Sequence, residues 1–207
     1  DTYRFLWLIP IFCWIYIVGD CSDGVQARRT KTGSPLGEYF DHFLDSFVTG
    51  LLTGILMLCF RVTNPILLFC VYQFLYLGQI GTFWGRFKDG VMHFSSISTS
   101  EGTMVIAIMA ALASFSFMRE SSLKNVFFTF SIPYIIMFMG FGAAWITGLI
   151  AIFKTKKISI RLVLHLFFSA LIGAVLVWKV QAPIFVQTVI ITFYNVLFIQ
   201  SVLPATA

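Results

Sequence analysis

Four aspartates in the N-terminal quarter of the chain stand in two pairs. Asp20 and Asp23 are three residues apart, and Asp41 and Asp45 are four apart. Spacings of three and four place side chains on one face of a helix. Two helices joined by a short connection would bring the pairs together. Carboxylates gathered at a membrane boundary repel one another and are costly where water is scarce. A bound divalent cation resolves both problems. An oxygen-only ligand set suits Mg²⁺ or Mn²⁺, and Ca²⁺ also fits such chemistry. The neighbouring residues suit a phosphorylated ligand. Gly24 and Ala27 leave room for a flat group against the first helix, Gly37 does the same on the second, and Arg28 offers a partner for phosphate oxygens.

The elements that must hold these residues are apolar helices. Of the 207 residues, 58% are hydrophobic and 11% are charged. A soluble domain carries about 25% charged residues, so the surface cannot face water all round. Seven apolar runs recur, roughly Phe5–Gly19, Ser46–Phe60, Pro65–Trp84, Thr103–Phe117, Val126–Phe153, Ile160–Trp178 and Pro183–Val202. Several approach the ~20 residues a helix needs to cross a bilayer. Backbone groups in hydrocarbon must bond internally, so the runs are helices. The expected fold is all-α, a polytopic transmembrane bundle of about seven helices. Residues 1–207 are expected to form one membrane domain, incomplete at its N-terminus, since the chain opens at Asp1 almost inside an apolar run.

The Asp20–Asp45 connection is the informative one. Ser34-Pro35 is a helix start, with Ser as N-cap and Pro at the first helical position. The second helix therefore begins near Pro35, well before its apolar run. The first runs past Gly19 to about Arg28, and Gly33 suits a tight turn between them.

Orientation follows from Lys and Arg. With the Asp20–Asp45 connection on side one and sides alternating, that side holds Arg28, Arg29, Lys31, Arg86, Lys88, Lys154, Lys156, Lys157 and Arg161. The opposite side holds Arg4, Arg61, Arg119, Lys124 and Lys179. The excess puts side one in the cytosol. The same clusters between apolar runs explain the net charge of +5 without nucleic acid. Cys13, Cys21, Cys59 and Cys70 form no C-x-x-C pair and are expected to be buried free thiols.

The stretch Asp20-Cys-Ser-Asp23-Gly24-Val-Gln-Ala27-Arg28, continued by Gly37, Asp41 and Asp45, matches D-x2-D-G-x2-A-R-x8-G-x3-D-x3-D. It resembles the signature of the CDP-alcohol phosphotransferases at all eight fixed positions. Chance gives such a match on the order of once in 10¹⁰ windows, at roughly one in twenty per position. Gln26 to Thr30, Ser34 to Glu38, Asp41-His42 and Asp45-Ser46 look like the choline/ethanolamine branch, as do Trp84 and Glu101-Gly102 more weakly. Val25 and Phe43 stand where that branch usually has Lys and Gly.

The resemblance implies a metal-dependent transfer of phosphoethanolamine or phosphocholine from CDP-ethanolamine or CDP-choline to diacylglycerol, releasing CMP. It implies Mg²⁺ or Mn²⁺ held by Asp20, Asp23 and Asp41, with Asp45 a shared ligand or the general base. Gly24, Ala27, Arg28 and Gly37 would bind substrate. It also implies a site on the cytosolic face of the endoplasmic reticulum or Golgi membrane, and a possible homodimer. An alternative is a CDP-diacylglycerol-dependent enzyme with inositol, serine or glycerol phosphate as acceptor. A remoter one is a cation transporter, which would want intramembrane acids beyond the motif.

The remaining polar residues have plainer readings. Arg29 serves as an interfacial anchor. His42 is turned about 100° from Asp41 around the helix, which suits support better than catalysis. Glu38 is a further supporting candidate. Glu101 either caps the helix after it or contributes to the substrate chamber. His93 is expected in solvent, and His165 hydrogen-bonded inside the bundle.

Overall fold

A computed structural model describes residues 5–60, 62, 64–89, 99–115, 132–154 and 158–202. Their elements are seven helices: α1 Leu8–Thr30, α2 Pro35–Cys59, α3 Pro65–Asp89, α4 Thr99–Ala113, α5 Ile132–Lys154, α6 Ile160–Ala174 and α7 Ile184–Val202. No strand occurs among the described residues. Six helices are long and apolar enough to cross a membrane, and α4 contributes a shorter apolar stretch, Thr103–Ala113. The chain is an integral membrane helical bundle, as the apolar runs imply.

Local chemistry sets the helix starts. Ser34 is extended at the N-cap of α2, with Pro35 inside the first turn. Its Oγ accepts a hydrogen bond from the Gly37 N–H at 3.0 Å, satisfying one of the donors that a helix start leaves open. Asn64 caps α3 by accepting from the Ile66 and Leu67 N–H groups at 2.9 and 3.2 Å. Ser159 caps α6 through the Leu162 N–H.

The connection between α1 and α2 is the tight turn expected, and Gly33 lies in it. Its left-handed residue is Lys31, with φ 58°. The Lys31 and Thr32 N–H groups both bond back to the Ala27 carbonyl. The helix end itself therefore makes the reversal, and Gly33 lies one step beyond it. The sixth run differs. It stays α-helical only to Ala174 and continues as a π turn over Val175–Lys179. There the Val180 N–H reaches the Val175 carbonyl at 2.9 Å. α4 starts at Thr99, before its apolar run, and residues 126–131 of the fifth run lie outside the described residues.

Small residues bring the helices together, as membrane packing requires. α3 pairs most extensively with α5. A methyl group at Gly78 would sit 2.8 Å from the Ala144 carbonyl oxygen, and Gly81 and Gly148 lie backbone to backbone. α2 packs on α7, where Thr192 and Thr188 press on Gly50 and Gly54. These threonines take hydrogen bonds inside the bundle: Tyr76 donates to Thr192 at 2.8 Å, and Tyr72 pairs with Thr188. α1 leans on α4, and its one buried residue is Cys13.

His165 behaves as a core histidine. It is buried, its Nε2 meets Asn195 Oδ1 at 3.1 Å, and its ring stacks on Tyr194 and Phe198. The cysteines are free, but only Cys13 and Cys59 are buried; Cys70 is half-buried and Cys21 is exposed. His93 lies outside the described residues.

Candidate active site

The two acid-bearing helices converge at the end of the bundle where α1 stops and α2 starts. On α1 beyond Pro10, the residues covered in full or in part are Cys13, Tyr16, Ile17, Asp20, Gly24 and Ala27. That stripe repeats every three to four residues and faces the bundle. Asp20 lies on it. Asp23 is exposed beside it, because three residues turn a helix 60° short of a full turn. On α2, Asp41 and Asp45 are both half-buried.

Carboxylate oxygens of Asp20, Asp41 and Asp45 all lie within 4.8 Å of one another. Burial and the neighbouring carboxylates push the pKa of Asp20 and Asp41 up to about 6. Like-charged oxygens this close need a proton or a cation between them. Mg²⁺ holds oxygens at about 2.0–2.1 Å, so opposite ligands lie roughly 4.2 Å apart, and Ca²⁺ spans slightly more. The three side chains therefore fit a hard divalent cation in donor type and spacing. Asp23 is not part of that cluster.

Tyr16 was not singled out from the sequence. Its hydroxyl donates to Asp45 Oδ1 at 2.5 Å, across 29 residues of chain. The signal was present: Tyr16 precedes Asp20 by four residues and so shares its helix face. Asp45 is further tied down from its own helix, where Thr49 Oγ1 donates to the Asp45 carbonyl at 2.6 Å.

The other expected site residues surround this cluster. Arg28 is exposed in the last turn of α1, and its guanidinium folds back over Gly24. A methyl group at Gly24 would touch it at 3.4 Å. Ala27 is half-buried and also takes the terminal N–H bonds of α1. A methyl at Gly37 would lie 3.2 Å from Ser34 Oγ, so this glycine also protects the N-cap. Glu38 is in the first turn of α2. His42 turns toward α3, its ring 5.3 Å from that of Phe83. Phe43 stacks on Phe47 within α2. Glu101 belongs to α4, but its side chain lies outside the described residues.

A polytopic helical bundle with a convergent, all-oxygen acidic cluster at one end defines a membrane protein with a site that could hold a metal ion. The chain belongs to the CDP-alcohol phosphatidyltransferase family, whose sequence profile matches residues 2–146. It is 33% identical to cholinephosphotransferase 1 of Gallus gallus over 114 residues, covering 49% of this chain and 34% of that protein. Identity to the human cholinephosphotransferase 1 is 32% over 115 residues, covering 52% and 27%. An uncharacterized CDP-alcohol phosphatidyltransferase class-I family protein of Schizosaccharomyces pombe is 35% identical over 112 residues, covering 52% and 28%. The matched stretch thus spans about a third or less of these relatives. No solved structure matches the chain.

Proposed function

We propose that this chain catalyses metal-dependent transfer of phosphoethanolamine or phosphocholine from a CDP-alcohol to diacylglycerol, releasing CMP, in phospholipid synthesis. The observation that carries the reading is the cluster of Asp20, Asp41 and Asp45 oxygens within 4.8 Å in a member of this family. The named cholinephosphotransferase relatives favour the aminoalcohol donors.

In this reading Asp20, Asp23 and Asp41 would hold Mg²⁺ or Mn²⁺, Asp23 from its exposed position beside the cluster. When bound, the cation neutralises charge on the diphosphate oxygens. Arg28, unfolding from Gly24, pairs with phosphate oxygens. Gly24, Ala27 and Gly37 leave the donor space to approach the helices. Asp45 has Oδ1 held by Tyr16, which leaves its second oxygen to share in holding the cation or to take the proton of the acceptor hydroxyl. The hydroxyl oxygen bonds to the phosphorus that carries the alcohol, and the bond from that phosphorus to CMP breaks. Glu38, His42 and Glu101 would be supporting residues. His42 braces α2 against Phe83 of α3.

The packing of α6 and α7 on α3 and α2 supports reading residues 1–207 as one domain. The site would face the cytosol, where a soluble CDP-alcohol arrives, on the endoplasmic reticulum or Golgi membrane. The assembly would be a homodimer. The test is CMP release by purified protein given CDP-ethanolamine or CDP-choline with diacylglycerol. Activity should vanish with chelator and return with Mg²⁺ or Mn²⁺. Full activity in excess chelator would refute the metal role. Conversion of CDP-diacylglycerol with inositol, serine or glycerol phosphate, and neither CDP-alcohol, would move the chain to the other donor class.

A further inference from the structure

A chamber of about 160 Å³ opens between α2, α3, α4 and α5. Its lining is polarised. Thr49, Gln79, Thr82 and Thr147 line it with apolar residues such as Leu56 and Met137, and counting along the helices puts the four polar residues toward the end nearer the acids. Thr49 is one turn past Asp45, whereas Leu56 is roughly 10 Å deeper along α2 at 1.5 Å per residue. Counted the same way from the α2–α3 turn, back from Cys59 and on from Pro65, Asp45 and Gln79 both stand at about 21 Å. The polar end of the chamber is therefore level with the carboxylates. Among the described residues, no Lys, Arg, Asp or Glu lines it.

Gln79 is only 9% exposed, and its Oε1 has no hydrogen-bond partner. An unpaired buried amide oxygen is costly, and a ligand bond would recover that cost. The threonine hydroxyls donate to carbonyls of their own helices: Thr49 to Asp45, Thr82 to Gly78 and Thr147 to Ala144. Their protons are thus engaged, and their oxygens keep acceptor capacity. This end is rich in acceptors, so it suits a ligand that brings a donor. A neutral lipid with one free hydroxyl meets each requirement: hydrocarbon for the deep end, no charge, and a single O–H at the level of Asp45. Cavities of roughly this volume with apolar walls take up apolar guests.

Resting on the transfer reading above, we infer that Gln79 is an acceptor-binding residue, whose side-chain oxygen receives the diacylglycerol hydroxyl while the chamber lodges an acyl segment. Gln79 accepts the O–H in the resting complex and does not take its proton; for the transfer the O–H turns from Gln79 to Asp45, which takes the proton. Substitution by an unbranched side chain of similar length should therefore weaken acceptor binding and leave the donor side alone.

The test uses Gln79→Met in the purified protein in nanodiscs. It is paired with Gln73→Met, whose amide bonds to Ser169 on the α6 side of α3. The Gln79 variant should raise the KM for diacylglycerol about tenfold, with the KM for the CDP-alcohol within twofold of the parent. Gln73→Met should leave the diacylglycerol KM unchanged. A binding readout is independent of turnover. A photoreactive diacylglycerol is competed with diacylglycerol or with the matching diester of propane-1,2-diol, which lacks the hydroxyl. The parent protein should prefer the hydroxylated competitor about tenfold, and Gln79→Met should not discriminate. Retained discrimination in that variant, or equal loss of both KM values and kcat, overturns the inference. Discrimination without any CMP release would refute the transfer reading and uphold the role of Gln79.

Discussion

Replacing Tyr16 with Phe removes one oxygen from the site and tests whether Asp45 must be held. The Tyr16 hydroxyl donates to Asp45 Oδ1 at 2.5 Å. A hydrogen bond to a charged group contributes about 1.5–3 kcal/mol. Tyr16 is only half-covered, so water can replace part of the bond, and the lower figure applies. At 1.36 kcal/mol per factor of ten, about 1.5 kcal/mol predicts a loss of about tenfold in kcat. Phe keeps the ring packing, so the helix and the melting temperature should persist. CMP release at saturating donor, acceptor and Mg²⁺ gives kcat, and a thermal melt in the same detergent checks the fold. The KM for the CDP-alcohol should hold within about twofold, because Tyr16 touches the carboxylate and not the donor's expected partners. A kcat within twofold of the parent would refute the view that Asp45 depends on being oriented from α1.

Two further outcomes follow from packing and topology. Gly148→Val drives a branched side chain into the Leu77 carbonyl and the Gly78 backbone, and overpacking of this kind costs about 1–3 kcal/mol or more. Its melting temperature should fall clearly below that of Gly142→Ala, which adds a methyl into open space; equal melting would contradict the tight α3–α5 contact. With Cys21, the exposed native thiol, replaced by Ser, a cysteine at Lys31 should react with an impermeant reagent from the cytosolic face of sealed vesicles and one at Lys179 from the opposite face. Labelling of the Lys31 site from the lumen would reverse the orientation.

The sequence made the α1–α2 hairpin legible because its signals are local. Ser34 and Pro35 set the start of α2 through one side-chain bond and one fixed torsion, and neither needs a distant partner. The three converging aspartates were legible for a similar reason, since helical spacing and a short connection restrict where they go. Asp23 shows the limit of spacing. Three residues put it near the inner face, but 60° of rotation leaves it beside the cluster. Gly33 lies in the turn, as expected, but the hydrogen bonds to Ala27 put the left-handed residue at Lys31, which propensity alone does not indicate. Tyr16 shares a helix face with Asp20, but nothing local indicates that its hydroxyl meets a carboxylate on another helix. The π turn at Val175–Lys179 and the chamber around Gln79 arise from packing among several helices, so no window of sequence contains them.

α1 leans chiefly on α4, and its direct contact with α2 is limited beyond the acidic cluster. The cation proposed for that cluster would therefore work as a clasp across a seam as well as a reagent. By mass action, a ligand that binds only the assembled form at a hundred times its Kd adds about 2.7 kcal/mol to that form's stability. That is a sizeable share of the 5–15 kcal/mol typical of a folded domain. Loading the site would then stiffen the same joint that sets the spacing of its acids, so each ion bound prepares the geometry that retains it.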